Sequence, residues 1–568
     1  MKKIIKVVVI ILFLTIAIKA EAAQIGESKI FNVDASYDDK ERSEITAALI
    51  KTSSYLYFYI DNDWWNELPS ALQEGVKTAL NDLAGEFEER IYPKLTLIFG
   101  SEWRPGIDND SRITILIHPM IKDAGGYFNN GDEYPKTQHP DSNEREMIYL
   151  NSKYLTTKRA KSFLAHEFVH LITFNQKEKI RNVSEETWLN EARAEYAPTL
   201  LGYDKDYIGS NLQSRVNNFL EKPYDSLTEW RNKSADYGVI NLFIQYLVDH
   251  YGEKILADSL KSSEVGIPSL NKALAKNGFK EDFSQIFTDW TIAVFVNNCQ
   301  IAEKYCYLNE NLKDLKITPF YNFLPTVGQS TLSVVAATKD WTGNWYKFIG
   351  GNRPVLKLEF STLSGVNFKI PYLIEDSEKK LTINFLDVNP KQKQIIYIED
   401  FGKKNVSLII IPSVQSKISG FNGLEQDFTF SWEASTIERT PEQEEQLIKE
   451  LLAKITILKT EIAKVQAKIN AILASRGQIS CQRFEKDLYF GMMNNPEVRC
   501  LQEFLKNQGS EIYPEGLVTG NFLSLTQAAV NRFQEKYADE ILKPLNLEKG
   551  TGYVGQMTKV KINEMLSK

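Results

Sequence analysis

Ser162-Phe163-Leu164-Ala165-His166-Glu167-Phe168-Val169-His170-Leu171-Ile172-Thr173-Phe174 decides how the rest of the chain is read. The stretch is apolar apart from His166, Glu167, His170 and two hydroxyls, and it holds no glycine or proline, as a buried helix requires. Residues four apart share one helical face, so His166 and His170 can aim their imidazoles at one metal ion about 2.0 to 2.1 Å away. Glu167, one position along, then sits beside the ion rather than on it, which is where a general base belongs. The pair is the more telling because the chain has only five histidines.

A catalytic zinc ion, Zn2+, needs a third protein ligand and an open position. Trp188-Leu189-Asn190-Glu191-Ala192-Arg193-Ala194-Glu195 offers Glu191 on a second helical stretch able to pack against the first. Glu195 lies one turn later on the same face and is placed to accept a hydrogen bond from a ligating histidine; Asn190 is the other candidate for that outer shell. Arg193 reads as an ion-pairing residue. The competing reading of Glu191 and Glu195 is the solvated face of a surface helix, although Trp188 and Leu189 argue against full exposure. His118 and His250 read as strand-end and helix-end residues rather than ligands.

Working outward, 568 residues exceed what one hydrophobic core supports, so several domains are expected. A hydrophobic share of 43%, a charged share of 25% and a formal net charge of -7 describe an ordinary globular protein and argue against a nucleic-acid binder. Residues 1–22 read as a secretory signal peptide: Lys2, Lys3 and Lys6 precede an apolar run from Val7 to Ile18, and Ala20-Glu21-Ala22 supplies small residues for cleavage. An uncleaved anchor is the alternative. Export suits the four cysteines, which fall into two close pairs, Cys299 with Cys306 and Cys481 with Cys500. Two local disulfides are the expectation and free thiols the alternative; without a Cys-x-x-Cys spacing a zinc ribbon is disfavoured.

Residues 24–311 mix strands (54–59, 112–117) with helices (68–91, 188–201, 237–250, and the HEFVH segment), an α+β pattern. Residues 318–435 change to short alternating runs, VLKLEF, LTINFL, QIIYIE and VSLIIIP, separated by turn signals, which predicts a β-sandwich. Residues 440–475 carry heptads, with Ile448, Ile455, Ile462 and Ile469 at one core position and Leu451, Leu458, Val465 and Ile472 at the other. Ile and Leu so arranged favour a parallel coiled-coil homodimer through 442–474, although Lys454 would face a partner's Lys459; a helix folded back on its own chain is the alternative. Residues 480–568 form a compact, small α-helical module. Asp108-Asn109-Asp110 reads as an Asx-rich turn, with calcium binding the lesser reading.

Three resemblances follow from these residues. HEFVH followed by Asn190-Glu191-Ala192-Arg193-Ala194-Glu195 resembles the gluzincin zinc metallopeptidases. Gly125-Gly126-Tyr127-Phe128, Met147-Ile148-Tyr149-Leu150-Asn151, LAHEFVHLI, WLNEARAE and DYGVINLFIQYLVDHYG together resemble the hyicolysin-like secreted bacterial metallopeptidases. Residues 499–505, 520–534 and 552–558 resemble the peptidoglycan-binding module of bacterial wall enzymes, with Leu523 where that pattern has a second glycine. The resemblance implies that Met147–Asn151 leads towards the catalytic helix and that Arg112–His118 and Gly125, Gly126, Tyr127 and Phe128 border a cleft where an extended peptide adds by backbone hydrogen bonds. It also implies that Tyr237 stabilises the oxyanion, against the alternative of a tyrosine capping a core helix.

The function expected is a secreted, extracellular or cell-wall-associated bacterial zinc metallopeptidase. It would cleave protein or peptide substrates through a zinc-activated water, with Glu167 as general base and no acyl-enzyme. An endopeptidase is the expectation and an aminopeptidase the alternative, and the terminal module is expected to hold peptidoglycan. The competing functions are a peptidoglycan cross-link hydrolase and an inactive wall-binding structural protein.

Overall fold

The structure, a computed structural model, describes residues 24–121, 124–362, 365–388, 392–439, 441–474 and 481–567. The signal-peptide expectation at 1–22 lies outside the described residues. The chain is multidomain, with helices and several β-sheets, and it separates into two compact units, one up to Glu438 and one from Arg439. No helix among the described residues is long and apolar enough to cross a membrane.

The first unit begins with a mixed sheet of β1 (Ser28–Asn32), β2 (Glu44–Thr52), β3 (Leu56–Asp61), β4 (Ile113–His118), β5 (Gly126–Tyr127) and β6 (Met147–Asn151). The spatial order is β1-β2-β3-β4-β6-β5, with β3, β4 and β6 parallel and the rest antiparallel. The three parallel strands are buried along their whole length, which explains why their sequences run apolar without alternation. Phe58, Ile60, Ile115, Ile117 and Ile148 face the helices; Tyr57, Tyr59, Leu116, Met147 and Tyr149 face a smaller core on the other side. The expectation that 112–118 borders the cleft is corrected by this order: β4 is an interior strand between β3 and β6, and β5 is the edge.

Around the sheet run α1 (Asn62–Glu67), α2 (Ser70–Glu86), α3 (Tyr92–Phe99), α4 (Arg159–Thr173), α5 (Thr187–Leu200), α6 (Asn211–Glu221), α7 (Ser234–Tyr251), α8 (Lys254–Leu260), α9 (Gly266–Lys276) and α10 (Phe283–Val296). The helix expected over 68–91 starts after Pro69 and widens into a π-helical turn at Phe87–Ile91. That turn brings both Phe87 and Tyr92 onto Phe168 of α4, with ring centroids 5.0 and 5.6 Å away. The disulfide Cys299–Cys306 closes the segment after α10, and His250 Nε2 meets the carbonyl of Cys306 at 2.9 Å, far from any metal role.

Ten strands follow: β7 (Phe320–Leu324), β8 (Thr331–Thr338), β9 (Tyr346–Gly350), β10 (Val355–Thr362), β11 (Phe368–Asp376), β12 (Leu381–Leu386), β13 (Lys393–Ile398), β14 (Asn405–Ile410), β15 (Ser413–Val414) and β16 (Phe428–Ile437). They form sheets β13-β10-β16-β8 and β12-β11-β14-β9-β7, with β15 against β11. Leu358, Phe360 and Trp432 of one sheet share a core with Phe348, Ile370 and Leu408 of the other. The change of character near residue 318 is a change of element type and not a break in packing. Trp341, Trp345 and Phe421 belong to the same apolar core as α4 and α5, and Trp345 Nε1 donates to Thr291 O at 2.9 Å.

The second unit contains α11 (Pro441–Ala474), α12 (Pro496–Asn507), α13 (Ser524–Lys536), α14 (Ala538–Ile541) and α15 (Gln556–Leu566). Its compact part repeats itself at an interval of 32 residues. Gln502 accepts from Thr519 N and Gly520 N and donates to Asn521 O and Thr526 Oγ1; Gln534 accepts from Thr551 N and Gly552 N and donates to Tyr553 O and Thr558 Oγ1. Each buried amide thus ties a Thr-Gly turn to the helix before it and the helix after it. Cys481 and Cys500 form the second disulfide. On α11 the heptad positions Ile448, Leu451, Ile455, Leu458, Ile462, Val465 and Ile469 are 38–59% exposed.

Candidate metal centre

α4 and α5 pack against each other, and their facing turns bring His166, His170 and Glu191 together. His166 Nε2 lies 3.2 Å from His170 Nε2 and 3.3 Å from Glu191 Oε2, and the third separation is 3.7 Å. A point about 2.0 Å from all three donor atoms exists within that triangle, which matches the zinc-to-nitrogen and zinc-to-oxygen distances of tetrahedral sites. Each imidazole turns its other nitrogen outward. His166 Nδ1 faces Glu195 Oε1 at 3.4 Å and His170 Nδ1 faces Asn190 Oδ1 at 3.1 Å, so Nδ1–H donors leave both Nε2 lone pairs for a metal.

The charges ask for a cation. Burial works against charge on His166, yet its bond to Glu191 and the carboxylates of Glu167, Glu195 and Glu191 outweigh it and hold the ring at about 9. Burial pushes Glu167 up to about 8 against the pull of His166, with Glu191 and Glu195 adding to the rise. Burial also pushes Glu195 up, but Arg215, His166 and Asn211 overcome it and hold it at about 2. The carboxylates around His166 outweigh its burial and favour positive charge at this position, and a metal ion bound there would supply that charge in place of the ring proton. Both the spacing and the chemistry of the donors therefore fit zinc.

Glu195 is itself held hard. Arg215 forks it at 2.6 and 2.8 Å, and Asn211 Nδ2 donates at 2.9 Å. Arg215 also lies over the ring of Tyr237, 4.5 Å from its centroid. Tyr237 donates to Asn232 Oδ1 at 3.1 Å, and burial, followed by the charge of Glu191, raises its phenol well above the usual range.

A cavity of about 260 Å3 opens over these residues, and Gly126, Tyr127, Phe128 and Tyr237 line it. Gly126 passes so close to α4 that a Cβ there would lie 3.2 Å from Glu167 Cγ and 2.6 Å from Tyr149 O. Gly125 instead packs under Phe163, where a Cβ would stand 2.3 Å from the ring. Tyr127 is sandwiched between Tyr149 and Tyr37, with centroids at 4.1 and 4.6 Å. Tyr37 is a residue the sequence reading missed: it comes from the β1–β2 connection, lines the cavity, and takes a 3.4 Å bond from Asn232. Arg215, Asn211 and Asn232 were missed as well, since single polar residues in unrelated segments carry no motif. His118 lies elsewhere, paired with Asp38 at 3.1 Å.

The neutral metalloprotease ShpI of Staphylococcus hyicus is 25% identical to this chain over 240 residues, covering 38% of the chain and 52% of that protein. The chain is a distant relative of a metalloprotease. It spans about half the length of the curated relative it matches. No family model matches. Two solved structures are 9% and 7% identical, with TM-scores of 0.14 and 0.15, each covering 21% of this chain and 98% of its own: CorA, a surface-associated copper-binding protein of Methylomicrobium album BG8, and PliG, a periplasmic lysozyme inhibitor of Aeromonas hydrophila.

Proposed function

We propose that the chain is a zinc-dependent peptidase that hydrolyses peptide bonds in protein or peptide substrates, acting as an endopeptidase. The observation that carries this reading is the triangle of His166 Nε2, His170 Nε2 and Glu191 Oε2, which has zinc spacing. Zinc held there supplies Lewis acidity, which polarises a carbonyl and makes water acidic enough to attack near neutral pH. Glu167 takes the proton of the attacking water and delivers it to the departing amine; burial suits it to both, because a carboxyl with raised proton affinity gives and takes near neutrality. Tyr237 and Tyr37 offer hydroxyls to the developing oxyanion from the cavity wall. The edge strand β5 binds the substrate backbone as an added strand. Glu195 and Asn190 keep the two imidazoles in the tautomer that leaves Nε2 free.

The signal-peptide pattern and the two disulfides support export, and the wall-module resemblance supports retention at the bacterial cell wall. The exposed heptad face of α11 supports a parallel homodimer. Denatured casein and purified sacculi, each incubated with and without a zinc chelator, test the reading. Chelator-sensitive breakdown of casein is expected, and breakdown of sacculi alone would turn the assignment to a cross-link hydrolase.

A further inference from the structure

Away from the metal centre, Glu133 stands out among the described residues because both of its carboxylate oxygens are buried with no hydrogen-bond partner. It ends the short 3-10 turn Asn130–Glu133 and is 1% exposed. Within hydrogen-bonding reach of it lies Glu146, which is 2% exposed and immediately precedes β6. Glu146 Oε1 accepts from Ile107 N at 2.8 Å, while its Oε2 has no hydrogen-bond partner. Two more carboxylates add negative charge, Asp132 acting on Glu133 and Asp108 on Glu146. Lys179, whose charge acts on Glu133, has its ammonium on the Trp103 ring, 3.4 Å from the centroid.

Two carboxylates face each other with three unpartnered buried oxygens, an arrangement that water or a lone proton stabilises poorly above neutral pH. One shared proton bridges one oxygen of each group and still leaves a buried charge and one oxygen without a donor. A divalent cation neutralises both groups and uses every orphaned oxygen. The donors are all oxygen, which favours a hard ion over zinc. Calcium accepts carboxylates together with backbone carbonyls and water, in irregular geometry, whereas magnesium demands an octahedron. The segments that meet here, 104–110 and 130–133, are turns and a 3-10 helix rather than ladder-bonded strands.

We propose that Glu133 and Glu146 are the carboxylate ligands of a structural calcium ion. The ion would tie the end of the 128–133 segment to the root of β6. Phe128, at the start of that segment, lines the cavity and lies 14° from parallel with the ring of His170, 6.4 Å away. Calcium would thereby fix one wall of the cleft without touching the chemistry, and the inference stands whether or not the zinc reading does.

The full chain, carrying Glu167→Gln to prevent self-digestion, is dialysed against EGTA at pH 8 and titrated with calcium chloride by calorimetry, with Tm followed in parallel. One calcium per chain and a saturating rise in Tm of about 3 °C or more at a hundredfold excess over Kd are expected. Adding Glu133→Gln, and separately Glu146→Gln, should leave Tm in EGTA equal or higher, because a like charge is gone, and should abolish both calcium uptake and the rise. No uptake by the parent chain overturns the proposal. So does uptake that survives both substitutions, as it would if the ion occupied the histidine site, or an equal rise with magnesium.

Discussion

Glu195→Gln tests how the metal centre is held together. The substitution keeps the shape of the side chain and removes the charge that faces His166 Nδ1 at 3.4 Å and pairs with Arg215 at 2.6 and 2.8 Å. Replacing the outer partner of a ligating histidine weakens metal binding about 10- to 100-fold, or about 1.4 to 2.7 kcal/mol. Separately, a buried guanidinium loses its carboxylate, which costs about 3 kcal/mol of stability at the lower end of such losses, since the amide still accepts one bond. The two effects come apart in the double variant Glu195→Gln/Arg215→Met: removing the orphaned charge restores most of the stability and none of the zinc affinity. Zinc affinity is read by competition with a chromophoric chelator and stability by denaturant unfolding. At saturating zinc the single variant should keep most of its kcat. A single variant that loses stability but binds zinc within twofold of wild type would refute the argument, because Glu195 would then serve the fold and not the metal.

Glu167→Gln should retain a full equivalent of zinc by elemental analysis while peptide hydrolysis falls by a factor of about 10^2 to 10^4 or more. Tyr237→Phe and Tyr37→Phe should each lower kcat, by up to about 10^2 to 10^3 for the principal oxyanion donor, with little change in KM; unchanged kcat in both would remove the tyrosines from the mechanism. In EGTA, stability should fall as pH rises. Burial raises Glu146 above its ordinary 4.5, so the folded chain holds a proton that the unfolded chain gives up, and stability is lost as pH rises past 4.5 towards neutrality. A flat profile of Tm against pH from 4.5 to 7 in EGTA counts against the buried pair. A peptide spanning 441–474 should sediment as a dimer, and a monomer at high micromolar concentration would dismiss the homodimer.

The candidate metal centre was legible where geometry is local. His166 and His170 are four residues apart on one helix, and the Asn190-Glu191 pair sits at the head of another, so spacing alone brings ligand types to common faces. What was not legible depends on pairings distant in sequence. β4 reads as a cleft strand until the order β4-β6-β5 buries it and leaves the two-residue β5 at the edge. Tyr37 and Arg215 reach the site from a loop and a helix whose own patterns point nowhere. Glu133 and Glu146 look like ordinary surface acids, since burial is a property of the assembled turns. The heptads of α11 declare which face is apolar and are silent on what meets it. The repeat of Gln502 and Gln534 was present in the sequence all along, but only the matching hydrogen bonds give it a physical reason.

Glu186, at the start of α5, accepts a bond from Trp188 Nε1 at 2.7 Å and another from Gly420 N at 2.6 Å. The helix bearing Glu191 is therefore pinned at its head by a backbone amide made more than two hundred residues later. Time enters the design through that bond. During synthesis the two histidines are therefore made about 250 residues before the amide that pins the helix of Glu191. A chain cut at residue 311 would carry every motif of the site and lack its clasp.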